Sequence, residues 1–288
     1  MTLPAPELPY FCDAKKLPAP LPTPDEIEGA THDLPCTIEP MYKRIVLDRE
    51  KFVVKHGISP WVSENEGHAL LLLRRYSGIP VPRLYAMYRK DDRIFLIMEF
   101  IHGVQLSEVW KTCQRMRNFR KIPSPGTFCS VRGGPLLHRF FLSWKVQTEI
   151  TGLFKNEEDF HRALALRSQG NWADNGTRRS WTSEFFARNL PTAFTGHPSV
   201  FIHTDLQRKN IIVSRGMSES SNGDESCLYV SAIVDWEDAG WYPSYWQYAG
   251  MFIDFIWEDD WPEKFEFIVD ACPLEAGLLR CLRQDLDY

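Results

Sequence analysis

Nine of the 20 prolines in this 288-residue chain fall within its first 40 residues. Pro4, Pro6, Pro9, Pro18, Pro20, Pro22 and Pro24 each lock φ and remove a backbone donor, so no regular element runs through them. Residues 1–36 therefore read as a Pro-rich extended arm, with a helical turn at Asp25–Gly29 at most, and regular structure starts near Lys43. With 44% hydrophobic and 13% aromatic residues, the rest of the chain can bury a sizeable core. Its length suits one large or two modest domains.

Charge and hydropathy exclude several partners. Lys and Arg number 33 against 38 Asp and Glu, for a net charge of −5 and a pI near 5.9. A nucleic-acid binder needs clustered cations, so none is expected as a partner. No apolar run approaches the ~18 residues of a membrane span, and mean hydropathy is −0.31. The Pro-broken start has no signal-peptide core, and seven scattered cysteines make no C-x-x-C pair. The expectation is a cytoplasmic protein with reduced thiols, no membrane partner and an oligomeric state left open.

From Lys43 the pattern is strand–strand–helix–strand–strand. Lys43–Leu47 and Lys51–Lys55 flank Asp48-Arg49 as a hairpin. Ser63–Tyr76 is helical, with Ser63 and Glu66 spaced as a capping box, and Ser77-Gly78 ends it. Leu84–Tyr88 and Arg93–Phe100 form a second hairpin. Helices are expected over Leu106–Met116, Asn156–Ser168, Ser180–Asn189, Tyr245–Asp254 and Glu263–Leu286, with Ile122–Pro135 a Pro/Gly-rich loop. Strands are expected at Val200–His203, Ile211–Ser214 and Leu228–Val234, with a polar insertion at Ser218–Ser226. The chain reads as α+β: a small antiparallel-sheet lobe with one helix over 37–101, then a larger, mostly helical lobe over 102–288.

The densest polar cluster is His203-Thr204-Asp205-Leu206-Gln207-Arg208-Lys209-Asn210, an H-x-D-x-x-x-x-N pattern closed on both sides by apolar strands. Asp235 follows another strand. Taken singly, Asp205 is a turn residue, Asn210 a cap and Asp235 a helix N-cap. Together they are what phosphoryl transfer requires: one carboxylate to accept a hydroxyl proton, and an Asn with a second carboxylate to hold Mg²⁺. In the small lobe, Lys55 ends a strand and Glu66 lies on the next helix. A Lys–Glu pair of this kind presents an ammonium to nucleotide phosphates, with Glu64 the second choice of partner. Trp236, Trp241, Trp246, Trp257 and Trp261 read as core before cage. The acidic run Asp254, Glu258, Asp259 and Asp260 reads as a solvated face.

The stretches "VVKHG", "ENEGHALLLLRRYSGIPVPRLY", "IMEFIHGVQL", "HTDLQRKNIIV" and "IVDWEDAGWYPSYWQYA" resemble the aminoglycoside-phosphotransferase family, in its fungal kinase-like branch. "IPSPGTFCSVRGGP" resembles that branch's insertion. The resemblance spans about Lys43–Gly250. It implies a bilobal protein-kinase-like fold with ATP at the lobe junction and transfer of a γ-phosphoryl group to a small-molecule hydroxyl. It also implies Lys55 and Glu66 as the phosphate-anchoring pair and Asp205 as catalytic base. Asn210 and Asp235 become the Mg²⁺ ligands, and Glu99, Phe100 and Ile101 a hinge reading adenine through the backbone. Three departures stand out. Thr204 replaces the usual glycine, Thr37–Tyr42 offers no glycine to cover phosphates, and Ser244 and Gln247 replace acids. The alternative is a pseudokinase-type nucleotide-binding or scaffold module with little or no turnover.

Overall fold

A computed structural model describes residues 7–75, 79–109, 122–142, 147–176, 180–217, 226–253, 258 and 260–287. They group into two compact units, Pro4–Gln114 with Arg208–Glu237 and Arg115–Gln207 with Asp238–Tyr288. Residues 7–36, 102–109, 208–217 and 226–237 join the first unit, where strand pairing and ion pairs hold them.

The first unit is built on an antiparallel sheet of β1 (Tyr10–Phe11), β2 (Lys43–Asp48), β3 (Phe52–Ile58), β4 (Leu84–Lys90) and β5 (Arg93–Glu99), in the order β1-β4-β5-β3-β2. Arg49 and Glu50 after β2, and Asp91 and Asp92 after β4, have φ between 39° and 51°. Left-handed pairs like these match the twist of the flanking strands. The arm is more ordered than its prolines suggest. Its two-residue β1 pairs with β4, and Thr23 closes a capping box on α1 (Pro24–Glu28), with proline at the favoured first position. Cys12, Leu17, Ala19 and Leu21 pack against Val46, Phe52, Val54, Phe95 and Ile97, covering that face of the sheet. Residues 32–34 then run along β2: Leu34 N–H donates to Ile45 O at 2.8 Å and Leu47 N–H to His32 O at 2.9 Å.

The opposite face carries α2 (Glu64–Leu73). Gly67 permits this approach, since a Cβ there would lie 2.5 Å from the Met87 sulfur. Side chains alternate along a strand, so Lys55 projects from β3 away from the face that Phe52 and Val54 share. Ser63 caps the Asn65 N–H at 3.1 Å. The expected capping box does not form, because the Glu66 carboxylate turns to Lys55 instead. A second sheet in this unit joins β6 (Val104–Gln105) to a hairpin of β9 (Ile211–Met217) and β10 (Ser226–Ile233). The helix expected over 106–116 is described only as α3 (Leu106–Val109). Ser77-Gly78 and residues 218–225 of the insertion lie outside the described residues.

In the second unit, β7 (Cys129–Ser130), β8 (Ser199–Ile202) and β11 (Gly240–Pro243) form a sheet in the order β7-β11-β8. Its first strand comes from the Pro/Gly-rich loop at 122–135. Helices α4 (Thr148–Thr151), α5 (Glu157–Asp174), α6 (Trp181–Ala193), α7 (Trp246–Ile253), α8 (Trp261–Phe265) and α9 (Pro273–Leu286) accompany it. Phe140, Phe141, Phe160, Phe186, Tyr242, Tyr245 and Trp246 fill the core. The single helix expected over 263–286 is broken between α8 and α9. Pro273 opens a new helix and biases Cys272 away from helical backbone; φ there is −132°. Trp236, Trp241, Trp246 and Trp261 are all buried, hence core. Glu258 and Asp260 are exposed, while Trp257, Asp254 and Asp259 fall outside the described residues. Among the described residues, no helix is long and apolar enough to cross a membrane.

Candidate active site

Three elements of the first unit converge on one ammonium group. Lys55 on β3 places Nζ 2.6 Å from Glu66 Oε2 on α2, 2.7 Å from Asp235 Oδ1 and 3.1 Å from Glu237 Oε2 beyond β10. Lys55 and Glu66 are each only 3% exposed, so this is a buried cluster and not a surface pair. Burial alone would push the lysine pKa down. Asp235, Glu66 and Glu237 outweigh it and hold Lys55 well above its ordinary range, charged at any working pH. Glu66 is pushed upward by burial, with Lys55 opposing and Asp235 and Glu237 adding to the rise. Glu64 is not part of the cluster. It pairs with Arg89.

Strand register brings Asn210 beside Asp235. Ile211 of β9 faces Ile233 of β10, and one step beyond, the Val234 N–H donates to Asn210 O at 2.9 Å. Asp235 then takes a positive φ of 66°. The backbone thus delivers a buried amide and a carboxylate to the same hairpin end. Glu66, Asp235 and Glu237 also present oxygens within 4.8 Å of one another. All of these donors are hard oxygens, which suit Mg²⁺, and three carboxylates facing the ammonium groups of Lys55 and of Lys43, which pairs with Glu237, leave a negative charge for a cation to offset.

Glu99 ends β5, and Phe100 and Ile101 follow it directly. The Glu99 N–H donates to Arg83 O at 2.8 Å and the Phe100 N–H to Lys51 O at 3.1 Å. Two of the three N–H groups expected at the hinge are therefore spent on the residues that immediately precede β4 and β3.

Asp205 belongs to the second unit, in the loop after β8. Its N–H donates to His203 Nδ1 at 3.2 Å, and the Gln207 amide donates to its carboxylate. The His203 N–H donates in turn to Gln247 Oε1 on α7 at 3.2 Å. His203 is thus a buried scaffold for the loop. Arg139 is lowered to about 10 by desolvation and by Arg283, while Asp205 and Asp238 pull the other way. Thr204 sits at φ 73°, a conformation that strains a β-branched residue and explains why glycine suits the position. Thr204→Gly is expected to raise the unfolding free energy by about 1 kcal/mol. A denaturation midpoint lower than wild type would refute the strain.

Spacing and flanking strands pointed to Lys55, Glu66, Asn210 and Asp235, and the structure gathers these four in one unit. Sequence reasoning missed Lys43 at the start of β2, whose Nζ lies 2.6 Å from Glu237 Oε2. It also missed Asn65, whose Nδ2 donates to Glu237 O at 2.9 Å. No local pattern marks Lys43. Asn65 could have been noted only as the neighbour of Glu66.

A family model described as the phosphotransferase enzyme family (APH) matches residues 134–266, a span that includes Asp205, Asn210, Asp235 and Glu237. No curated protein matches the chain in sequence. Among solved structures, the chain is similar to a protein assigned as a fructosamine-3-kinase from Haemophilus somnus 129PT. The identity is 11%, with 90% of this chain and 92% of that chain covered and a TM-score of 0.50. It is also similar to a thermostable mutant of aminoglycoside phosphotransferase APH(4)-Ia in ternary complex with ADP and hygromycin B. That identity is 14%, covering 88% and 83% of the two chains, again with a TM-score of 0.50. The chain has the α+β, kinase-like fold of these proteins.

Proposed function

We propose that the protein is an ATP- and Mg²⁺-dependent phosphotransferase of the aminoglycoside-phosphotransferase family, in its fungal kinase-like branch, moving the γ-phosphoryl group to a hydroxyl of a small molecule. The observation that carries this reading is the buried Lys55 ammonium held between Glu66 and Asp235, with Asn210 brought beside Asp235 by strand register. The family match over Asp205 and Asn210, and the kinase-like fold, support it.

Each residue then has one task. Glu66 fixes the Lys55 ammonium so that it meets the α/β-phosphates as a preformed charge. Asn210 and Asp235 would hold Mg²⁺, which when bound neutralises charge building on the transferring group. Asp205 orients the acceptor hydroxyl and takes its proton as the oxygen attacks in line. With the Glu99 and Phe100 N–H groups engaged, Ile101 N–H is the hinge donor for adenine. A small acceptor fits the short connection after Asp235, since β11 begins at Gly240 and leaves no length for an activation loop.

One observation favours the alternative, a nucleotide-binding module with little turnover. Where a glycine-rich cover is expected, Pro40 has no N–H, and Tyr42 and Lys43 both donate to the Glu39 carbonyl, at 2.9 and 3.1 Å. Few backbone donors are left for phosphates. ATP binding is therefore expected to be weak and strongly dependent on Mg²⁺ and Lys55. Calorimetry with and without Mg²⁺ checks this: tight metal-independent binding, or a folded Lys55→Ala losing less than ~1 kcal/mol, would point to another phosphate cradle. A screen of hydroxyl acceptors for ATP consumption separates the two readings. Turnover on any small acceptor supports the enzyme, and none across the screen supports the binding module.

A further inference from the structure

Lys43 takes no part in the reading above, yet it is only 7% exposed and its ammonium is committed to the same cluster. Its partner is Glu237 Oε2, at 2.6 Å, and that oxygen also touches Lys55 Nζ at 3.1 Å. One carboxylate oxygen thus bridges two buried ammonium groups. A non-bridging phosphate oxygen has the same charge and the same capacity to accept from two donors at once.

The position is built with some precision. Lys43 opens β2, opposite Gly57 of β3. A Cβ on Gly57 would lie 2.1 Å from the Tyr42 carbonyl oxygen, so only glycine allows the strand start to close in this far. Glu237 is anchored independently, its carbonyl accepting from Asn65 of α2, next to Glu66. At this strand start the N–H groups of Tyr42 and of Lys43 itself are spent on the Glu39 carbonyl.

We infer that Lys43 is a second phosphate-binding cation, acting with Lys55 where backbone donors are missing, and that Glu237 holds the two ammonium groups in place until a nucleotide phosphate takes over its bridging oxygen. The inference rests on the nucleotide-binding reading of this site and adds a residue to it.

The test uses the full chain, with ATP, ADP and adenosine as probes in calorimetry, each with and without Mg²⁺. Lys43→Met is expected to weaken ATP and ADP by at least about tenfold and to leave adenosine unchanged, with Lys43→Arg recovering most of the loss. Glu237→Gln removes a negative charge from the bridging position and should tighten metal-free ATP. A purely structural pair would behave differently, because breaking it from either side would weaken all three probes together. Equal losses in both variants, loss of adenosine along with ATP, or wild-type ATP affinity in a folded Lys43→Met would overturn the role of Lys43. If the wild-type protein bound neither ATP nor adenosine, the nucleotide reading itself would fail and this inference with it.

Discussion

Asp205→Asn is expected to lower kcat by at least ~10²-fold while leaving nucleotide affinity close to wild type. An amide cannot take the proton that the acceptor hydroxyl must lose. The rest of the loop is held by contacts that the substitution spares. Its backbone N–H still has His203 Nδ1 as acceptor at 3.2 Å, and His203 is held in turn by Gln247. The variant should therefore fold and bind but not turn over. Steady-state rates on an acceptor found in the screen, alongside ATP calorimetry, make the comparison. A variant keeping more than about a tenth of wild-type kcat, a loss below ~1.4 kcal/mol in the barrier, would remove Asp205 from the role of base.

Stability is expected to fall steeply as pH drops from 6.5 toward 4. Three histidines are buried in neutral form. His56 is lowered from its ordinary 6.5 to about 4 by burial and by the nearby Arg93. His138, ringed by Phe140, Phe141 and Trp246, is lowered to about 3 by burial, with Arg139 adding to it. His161, hydrogen-bonded to the Tyr245 hydroxyl at 2.9 Å, is lowered to about 3 by burial and by His197. The sign follows from proton counts. Below 6.5 the unfolded chain binds protons at all three imidazoles and the native protein does not, so each step down in pH favours unfolding until the native values are reached. Once the unfolded imidazoles are fully charged, the slope approaches about 4 kcal/mol per pH unit. Glu66, raised in the native state, acts in the opposite direction, but it is one group against three. Denaturation midpoints measured from pH 7.5 to 4 decide the matter. A flat profile between 6 and 4.5 would show that these rings are charged or solvated in the folded protein.

Sequence alone determined the features whose cause is local. The β2–β3 hairpin follows from β-branched runs, and the β4–β5 hairpin from aliphatic and aromatic runs, each around a short polar turn, and α2 from Ser63 and the leucines after it. Asn210 and Asp235 could be singled out because each sits where an apolar strand gives way to polar residues, and strand ends carry chemistry. Tertiary structure decided whatever depends on partners far along the chain. The two-residue β1 and β7 exist only because β4 and β11 offer them an edge. The capping box at Ser63 gave way because Glu66 found a buried ammonium, an ion pair that outweighs one backbone hydrogen bond. Lys43 and Glu237 lie 194 residues apart, and nothing in the spacing of either marks the contact. Which lysine becomes a buried cation and which stays on the surface depends on which carboxylates the fold brings to it. Burial makes that pairing obligatory, because an unpaired charge in the interior costs several kcal/mol.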